Sequence, residues 1–361
     1  MTNPPFVPDN VDRMLFRVLE ETFDAEPWRK TAPVVVVNDA TGALSEWVQS
    51  QGLHARFVQD SAARATQHAH VTGPLETLPN AEVLAGATTV IYRLARPLEA
   101  LEEFSWQVAR WADPQVMLLA GQLQRHLNFS MNTTLESHFA RVSASRGYYK
   151  ARALRAQSPK AVLGTCPPRM PRANSVRVAD VDLELRAYGL TFGAARLDPG
   201  TALLLETIET ARAELFHPET VAVDLGCGNG TIAAVLAKKF NCDGLIATDD
   251  SASAVRSTTD TLAVNDVDNV QVIHQSGLEQ LAADSVDVVV LNPPFHDGTE
   301  LTSDIAHYLF GEASRTLKPG GVLLTVFNAS RRYGTQLEQQ VGPTEQLGRD
   351  TRFIVTESQK V

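Results

Sequence analysis

Cysteine is scarce in this chain and follows neither a metal-binding nor a disulfide pattern. The 361 residues include 3 cysteines, Cys166, Cys227 and Cys242, and none of them has CxxC spacing. An odd number of separated cysteines argues against a disulfide framework and against structural zinc, and it fits a reducing compartment. The histidines are also scattered, and His68 and His70 have no cysteine or carboxylate beside them. The sequence therefore predicts no bound metal and a cytoplasmic location.

Long hydrophobic runs are absent as well. No apolar run approaches the roughly 18 residues that a membrane-spanning helix needs. The first ten residues, MTNPPFVPDN, have neither the basic start nor the apolar core of a secretory signal. We therefore expect neither a membrane span nor a secretion signal.

Positive charge is in deficit overall, with a formal net charge of −10 and a pI near 5.4. This balance argues against a non-specific nucleic-acid binder, whose surface would be basic overall. One stretch, from Arg141 to Ala179, is nevertheless free of Asp and Glu. It could bind a polyanion or form a solvated basic linker, and the sequence leaves both interpretations open. Its basic residues are Arg141, Arg146, Lys150, Arg152, Arg155, Lys160, Arg169, Arg172 and Arg177.

Apolar runs and helical patterns alternate in the C-terminal half, which predicts a doubly wound, mostly parallel sheet. A fainter alternation in the N-terminal half has strands in the same order with shorter connections. It indicates a duplication, with two unrelated α/β domains as the alternative. We predict one domain over 1–157, a proline-rich linker over 158–179 and a second domain over 180–361. The strands predicted in the C-terminal half are Val221–Leu225, Gly244–Thr248, Val270–His274, Val286–Leu291, Val322–Phe327 and Arg352–Thr356, and Lys318–Gly321 is predicted as a turn.

A glycine-rich loop joins the Val221–Leu225 strand to the next helix. Its sequence, Asp224-Leu225-Gly226-Cys227-Gly228-Asn229-Gly230, lets the backbone approach a ligand at a helix N-terminus. The D-x-G-x-G-x-G pattern resembles the donor loop of class I S-adenosylmethionine-dependent methyltransferases. A dinucleotide fingerprint is the alternative, although Thr231 stands where that spacing needs glycine. Asp249, at the end of the next strand, could bind ribose hydroxyls in either case, and Gln275 ends the strand where adenine contacts usually lie.

A second motif, Asn292-Pro293-Pro294-Phe295, follows the Val286–Leu291 strand. The Asn292 side-chain oxygen and the Pro293 carbonyl can both accept hydrogen bonds from an exocyclic amine. Phe295 can stack on a ring, and His296 can bind or pack beside it. The motif resembles the acceptor site of methyltransferases that act on adenine N6, guanine N2 or glutamine side chains.

The sequence resembles the bacterial ribosomal RNA guanine-N2 methyltransferases in three segments. These are the glycine-rich loop, the Asn-Pro-Pro-Phe motif and Leu317-Lys318 before a glycine pair. That resemblance implies two tandem Rossmann-like class I methyltransferase domains, of which the N-terminal one is degenerate and helps to hold RNA. Val37–Ser45 is similar to the degenerate first loop of the large-subunit branch, and Lys150-Ala151-Arg152 to its basic segment. The small-subunit branch is the near alternative.

The chain departs from this family in one motif. Where the family has F-S-R-x-G-L-D-x-G, this sequence has Phe192-Gly193-Ala194-Ala195-Arg196-Leu197-Asp198-Pro199-Gly200. The family arginine falls on Ala194, and Arg196 could substitute from two residues away. The N-terminal copy has Arg93 and no Asn-Pro-Pro-Phe at its matching strand, and Arg93 could touch phosphate or be solvated.

The sequence thus predicts a guanine-N2 methyltransferase of large-subunit ribosomal RNA, with S-adenosylmethionine as donor. The alternatives are a small-subunit substrate, an adenine-N6 or glutamine methyltransferase, and a non-catalytic RNA-binding assembly factor. The oligomeric state is open, with a monomer as the simpler expectation. We predict catalytic roles for Asn292, Pro293 and Phe295. Predicted cofactor-binding residues are Asp224, Gly226, Gly228, Asn229, Gly230, Asp249, Gln275 and Asn292, and predicted RNA-binding residues are Arg146, Lys150, Arg152 and His296.

Overall fold

The computed structural model describes residues 6–161, 167, 169–240, 242–294 and 300–361, with the side chains of 300–303 left aside. The chain forms two compact units, Met1–Met170 and Pro171–Val361. This division falls inside the predicted linker, but the second half of that stretch is a strand, Arg172–Val178, rather than linker. Its alternating polar residues pair with the following strand, so the hairpin belongs to the second unit. No described helix combines the length and the apolar character needed to cross a bilayer.

The first unit contains a six-stranded sheet in the order β2-β1-β3-β4-β6-β5. Strands β1 to β4 are parallel, and β6 and β5 add an antiparallel edge. The strands are β1 (Val34–Val37), β2 (Ala55–Val58), β3 (Thr89–Arg93), β4 (Met117–Leu123), β5 (Phe139–Ala144) and β6 (Ala151–Pro159). The helices are α1 (Asn10–Ala25), α2 (Ala43–Ser50), α3 (Ala62–Thr72), α4 (Ala81–Leu84), α5 (Leu98–Trp111) and α6 (Phe129–His138).

The second unit contains a two-stranded hairpin and a seven-stranded sheet in the order β11-β10-β9-β12-β13-β15-β14. The strands are β7 (Arg172–Val178), β8 (Val181–Ala187), β9 (Val221–Leu225), β10 (Gly244–Asp249), β11 (Val270–His274), β12 (Val286–Leu291), β13 (Leu317–Asn328), β14 (Thr344–Arg349) and β15 (Phe353–Gln359). The helices are α7 (Pro199–Ala211), α8 (Thr231–Phe240), α9 (Ala252–Val264), α10 (Glu300–Thr316) and α11 (Gly334–Gln340).

The two large sheets share one topology. Removing the outer strand β11 from the second order leaves an order that matches the first strand for strand along the chain. At the place of the missing strand, the first unit has an isolated bridge between Val58 and Glu76. The predicted fold class, two tandem Rossmann-like α/β domains with a reduced N-terminal copy, is therefore confirmed.

Helices cover both faces of the second sheet, which explains the continuous apolar run of β9. Ala222 packs into one buried cluster together with Val235 of α8, and its neighbour Val223 packs into another with Phe310 of α10. Alternate residues of a strand face opposite sides, so a strand buried on both faces is apolar throughout. Burial on both faces holds β9 in place within the sheet, and it thereby fixes the position of the glycine loop that follows the strand.

The prediction of a turn at Lys318–Gly321 is wrong. These residues belong to β13, which runs from Leu317 to Asn328. The pairing with β12 shifts there, because Val286 faces Leu317 whereas Val288 faces Val322. The glycines and the proline thus mark an irregularity within a strand, which is one of the positions that these residues take in sheets.

Candidate functional site

Four strands of the second sheet end side by side at one edge. The order β11-β10-β9-β12 brings together Gln275 after β11, Asp249 at the end of β10, the glycine loop after β9 and Asn292 after β12. These strands are parallel, so their carboxyl ends form the crevice in which open α/β sheets bind ligands. Residues separated by more than 60 positions in sequence therefore meet at one site.

The glycine loop leaves open space above its backbone. Gly226 and Gly228 have φ values of +81° and +55°, in the left-handed region, and a Cβ at either position would meet no atom within 4 Å. Gly226 N–H and Cys227 N–H both donate to the Thr248 carbonyl, at 2.8 and 2.9 Å, and anchor the loop to β10. The loop therefore presents bare backbone to a ligand at the start of α8.

Asp249 is held against this loop. One carboxylate oxygen accepts from Gly228 N–H at 2.9 Å and the other from Ser251 N–H at 2.9 Å. The side chain is half-buried, at the boundary between loop and crevice. Such a carboxylate is preorganised to accept hydrogen bonds from the hydroxyls of a bound nucleoside.

Asp224 lies beneath the loop and is fully buried. Its Oδ2 accepts from Ala233 N–H of α8 at 3.0 Å, and its Oδ1 has no partner among the described residues. Burial, reinforced by the charge of Asp249, raises the pKa of Asp224 to about 7. Asp224 thus fixes the loop to its helix, and its direct cofactor contact stays a prediction.

Asn229 and Gln275 also serve the architecture of the site. The Asn229 amide donates to the carbonyls of Ala194 and Arg196 at 2.9 and 3.0 Å, which ties the glycine loop to the segment before α7. Gln275 accepts from Gln280 N–H at 3.0 Å, whereas its Nε2 is buried without a partner among the described residues. Gln275 thus keeps one unused donor at the end of β11.

The side chain of Asn292 is oriented by the first turn of α7. Its Nδ2 donates to Asp198 Oδ2 at 3.0 Å and to Thr201 Oγ1 at 2.8 Å. A carboxylate can only accept hydrogen bonds, so the nitrogen must face Asp198. The Asn292 Oδ1 is left buried and without a partner among the described residues. An unpaired buried acceptor calls for a donor, and an amine N–H supplies one.

Segments 192–201 and 226–232, together with Asn292, line one cleft. Within it Arg196 is exposed, so the guanidinium that departs from the family pattern is still placed at the site. Pro293 is buried and Pro294 is exposed. Phe295 and His296, predicted to stack on and contact the acceptor, lie outside the described residues.

The role of Asp198 and Thr201 was not predicted. Asp198 is the N-cap of α7 and also accepts from Thr201 N–H at 2.9 Å. The sequence Asp-Pro-Gly-Thr, at residues 198–201, is typical of the start of a helix. That signal predicts a cap, but it does not reveal that the cap holds an asparagine from another strand.

Three of the predicted RNA-binding residues, Arg146, Lys150 and Arg152, lie in the first unit, on the hairpin formed by β5 and β6. Arg146 and Lys150 are exposed in its loop, and Arg152 is half-buried at the start of β6. The Nε of Arg152 has no hydrogen-bond partner among the described residues. The structure thus groups these three cations on one local surface.

The first unit repeats the backbone conformation of the glycine loop. Asn38 and Gly226 occupy equivalent places after β1 and β9, with φ values of 55° and 81°, and each donates to the end of the neighbouring strand at 2.8 Å. Four residues later, Gly42 and Gly230 have φ values of 82° and 80°. A Cβ at Gly42 would lie 2.6 Å from the ring of Phe6, and a Cβ at the equivalent Gly230 would lie 3.0 Å from Thr258 Cα. Both positions therefore exclude a side chain.

An ion pair replaces the asparagine in the first unit. Arg93 ends β3, the strand that matches β12, and thus takes the position of Asn292. It donates to Asp12 Oδ1 at 2.5 Å and to Asp9 Oδ2 at 2.7 Å, the third residue and the N-cap of α1. Asn292 bonds the same two positions of α7. The predicted solvated side chain is wrong, because ion pairs with Asp9 and Asp12 leave Arg93 12% exposed, and the predicted phosphate contact stays a prediction.

The second unit has the features of a class I S-adenosylmethionine-dependent methyltransferase. These features are the parallel sheet, the open glycine loop, the carboxylate at the end of β10 and the Asn-Pro-Pro motif. The family model described as "Methyltransferase small domain" matches residues 182–357, and the one described as "RLMG N-terminal domain" matches residues 8–160. The chain belongs to the two-domain ribosomal RNA methyltransferases, the family of its curated relatives.

Two of these relatives and one solved structure cover most of the chain. The large subunit methyltransferase G of Shewanella amazonensis is 27% identical over 98% of this chain and 92% of its own length. The small subunit methyltransferase C of Alcanivorax borkumensis is 32% identical over 81% of this chain and 87% of its own length. A 16S rRNA N2 methyltransferase from T. thermophilus, solved with AdoMet and guanosine, has a TM-score of 0.80 at 21% identity and covers 99% of this chain and 94% of that one.

The residues of the second unit fit S-adenosylmethionine as cofactor. Open space above Gly226 and Gly228 accommodates a ligand against the backbone, and Asp249 stands beside it with its carboxylate already oriented.

Replacing Arg93 with methionine should destabilise the first unit by about 3 kcal/mol, because Asp12 is fully buried and would lose its cation. All four tryptophans lie in the first unit, so tryptophan fluorescence during urea denaturation reports its unfolding. Arg13→Met, at an exposed position of α1, is the matched control. The double variant Arg93→Met/Asp12→Asn should recover part of the loss. Equal urea midpoints for Arg93→Met and Arg13→Met would refute a stabilising ion pair.

Proposed function

We propose that this protein transfers the methyl group of S-adenosylmethionine to the exocyclic N2 amine of a guanine in large-subunit ribosomal RNA. The observation that carries the proposal is the unpaired, buried Oδ1 of Asn292, whose amide is held in one orientation by α7. Relatives named as large subunit methyltransferases, aligned over 91% or more of this chain, support the choice of RNA.

The bound donor supplies an electrophilic sulfonium methyl group. Gly226 and Gly228 would hold the donor with their backbone atoms, and Asp249 would accept a hydrogen bond from its ribose. Asn292 Oδ1 and the Pro293 carbonyl accept the two N–H groups of the guanine amine, and Phe295 stacks on the base. These hydrogen bonds favour a pyramidal nitrogen, whose lone pair is otherwise delocalised into the ring.

Positioning is the main contribution of these residues. Holding two reactants in attack geometry can lower a barrier by roughly 7–11 kcal/mol at the upper limit. No strong base is needed before transfer, because positive charge on the amine nitrogen develops only as the carbon–nitrogen bond forms and the carbon–sulfur bond breaks. The methylated amine then releases one of its protons to solvent. His296 is assigned to binding the nucleotide.

A small-subunit substrate is the second candidate. The Alcanivorax relative, which is 32% identical to this chain, is named as a small subunit methyltransferase. Mass spectrometry of both ribosomal RNAs from a deletion strain distinguishes the two, because the lost methylguanosine identifies the substrate RNA.

Changing Asn292 to alanine should abolish methyl transfer and leave S-adenosylmethionine binding within about twofold of wild type, because the open face of this side chain serves the acceptor. Transfer is measured with labelled donor and donor affinity by calorimetry. Asn174→Ala, at an exposed position of β7, is the control and should behave as wild type. Loss of donor binding in Asn292→Ala would contradict an acceptor role.

Reversing the charges of Arg146, Lys150 and Arg152 to glutamate should weaken binding to ribosomal RNA and flatten its salt dependence by roughly 0.7 in log–log slope for each lost phosphate contact to single-stranded RNA. The control reverses Arg13, Arg64 and Arg110, which are exposed in the same unit and change the net charge equally. Binding is followed by anisotropy across a salt series. If both triple variants bind alike, the basic hairpin is a solvated surface.

A further inference from the structure

A cavity of about 280 Å³ lies in the first unit, at the carboxyl end of β4. It is bordered by the short helix Gln124–His126, by the first turn of α6 and by the paired ends of β5 and β6. Its volume is close to the lower limit of ligand pockets, roughly 300 Å³. Carboxyl ends of parallel strands are the usual ligand edge of such sheets. The first unit thus has a recess at this edge.

The lining of this cavity suits a flat, polar ring. Gln124 and Asn132 bring side-chain amides that can pair with a heterocycle edge, and Leu154 supplies a buried apolar floor. Arg152 is the one ionisable group among the described lining residues, and its buried Nε has no hydrogen-bond partner there. A buried donor without a partner is a position at which a ligand acceptor is expected.

Phe129 stands at the rim with 89% of its surface exposed. The Asn128 side chain caps α6 by accepting from Met131 N–H at 3.1 Å, which fixes Phe129 as the first residue of the helix. An exposed phenyl ring on an ordered helix start is costly in water and useful as a stacking platform. No Asp or Glu occurs among the described lining residues, so the lining favours an anionic ligand.

Cations surround the rim. Gln124 N–H donates to the Lys150 carbonyl at 2.9 Å, which places the β5–β6 loop beside the cavity, and Arg125 follows directly in the chain. In a chain of net charge −10, this local concentration of positive charge is complementary to a phosphate backbone. Aromatic, amide and cationic groups together match one unpaired nucleotide of an RNA strand.

We propose that this cavity binds the base of an unpaired ribonucleotide, stacked on Phe129 and hydrogen-bonded by Gln124, Asn132 and Arg152. The inference rests on the proposed function, since RNA is the substrate there, and it adds a second, non-catalytic recognition site on the degenerate unit. The ligand is single-stranded RNA, because a base within a duplex is not available to stack on a side chain.

The test measures binding of the full chain to a ten-nucleotide single-stranded oligoribonucleotide and to a duplex of the same length. Phe129→Ala should weaken single-strand binding by roughly 5- to 100-fold, as expected for one lost base–aromatic stack. Phe129→Trp should restore it, duplex binding should not change, and Trp28→Ala, an exposed aromatic of the same unit, should bind as wild type. Unchanged single-strand affinity in Phe129→Ala, or an equal loss in Phe129→Trp, would overturn the proposal.

Methyl transfer separates this inference from the proposed function. Phe129→Ala should raise the KM for ribosomal RNA with little change in kcat and none in donor affinity, because the lost contact is made equally in ground and transition states. A wild-type KM in this variant overturns the base-binding cavity while the methyltransferase function stands. If the wild-type protein methylates no RNA but still binds the oligonucleotide through Phe129, the function fails and the cavity stands.

Discussion

Two hydrogen bonds from the Asn292 amide to the first turn of α7 determine what the crevice can accept. Asp198 and Thr201 take both amide hydrogens, so the carbonyl oxygen is the group left for a substrate. With the amide reversed, the site would offer a donor to an amine, which needs acceptors. The sheet supplies the framework for this arrangement, because β9 and β12 are neighbours and their buried runs end at the same height. The side chains at the N-terminus of α7 then orient Asn292 so that its carbonyl oxygen faces the substrate.

The first unit shows what happens when this arrangement is replaced within the same framework. The first unit retains the sheet order, the loop conformation and the start of the first helix. Arg93, however, occupies the position of Asn292, and Asp12 occupies that of Thr201. Ion pairs with Asp9 and Asp12 leave the Arg93 side chain 12% exposed. The first unit therefore keeps the fold but has no asparagine at the position equivalent to Asn292.

Much of the second unit follows from local patterns. The runs Val221–Leu225 and Val286–Leu291 are strands as predicted, because both are buried on two faces and bounded by turn residues. The glycine loop was identifiable because its residue types are dictated by φ values that other residues avoid. Asn292 was identifiable because the motif around it is specific to amine chemistry.

Contacts between distant segments could not be predicted in the same way. Asp198 lies 94 residues before Asn292, and Asp12 lies 81 residues before Arg93. Each pair forms only because the strand order brings a helix start beside a strand end, and a single sequence does not encode that order locally. Polar edge strands such as Arg172–Val178 were missed since they lack an apolar repeat. The supporting role of Asp224 beneath the glycine loop could not be predicted, because burial is a property of the folded chain.

The measurement that tests the central claim most directly is the identity of the nucleoside that this protein methylates. Purified protein is incubated with isotopically labelled S-adenosylmethionine and large-subunit or small-subunit ribosomal RNA from a deletion strain, and the RNA is digested and resolved by mass spectrometry. Labelled N2-methylguanosine, at no more than one per large-subunit RNA, is the predicted result. Label in N6-methyladenosine, label confined to small-subunit RNA, or no transfer to either RNA would contradict it.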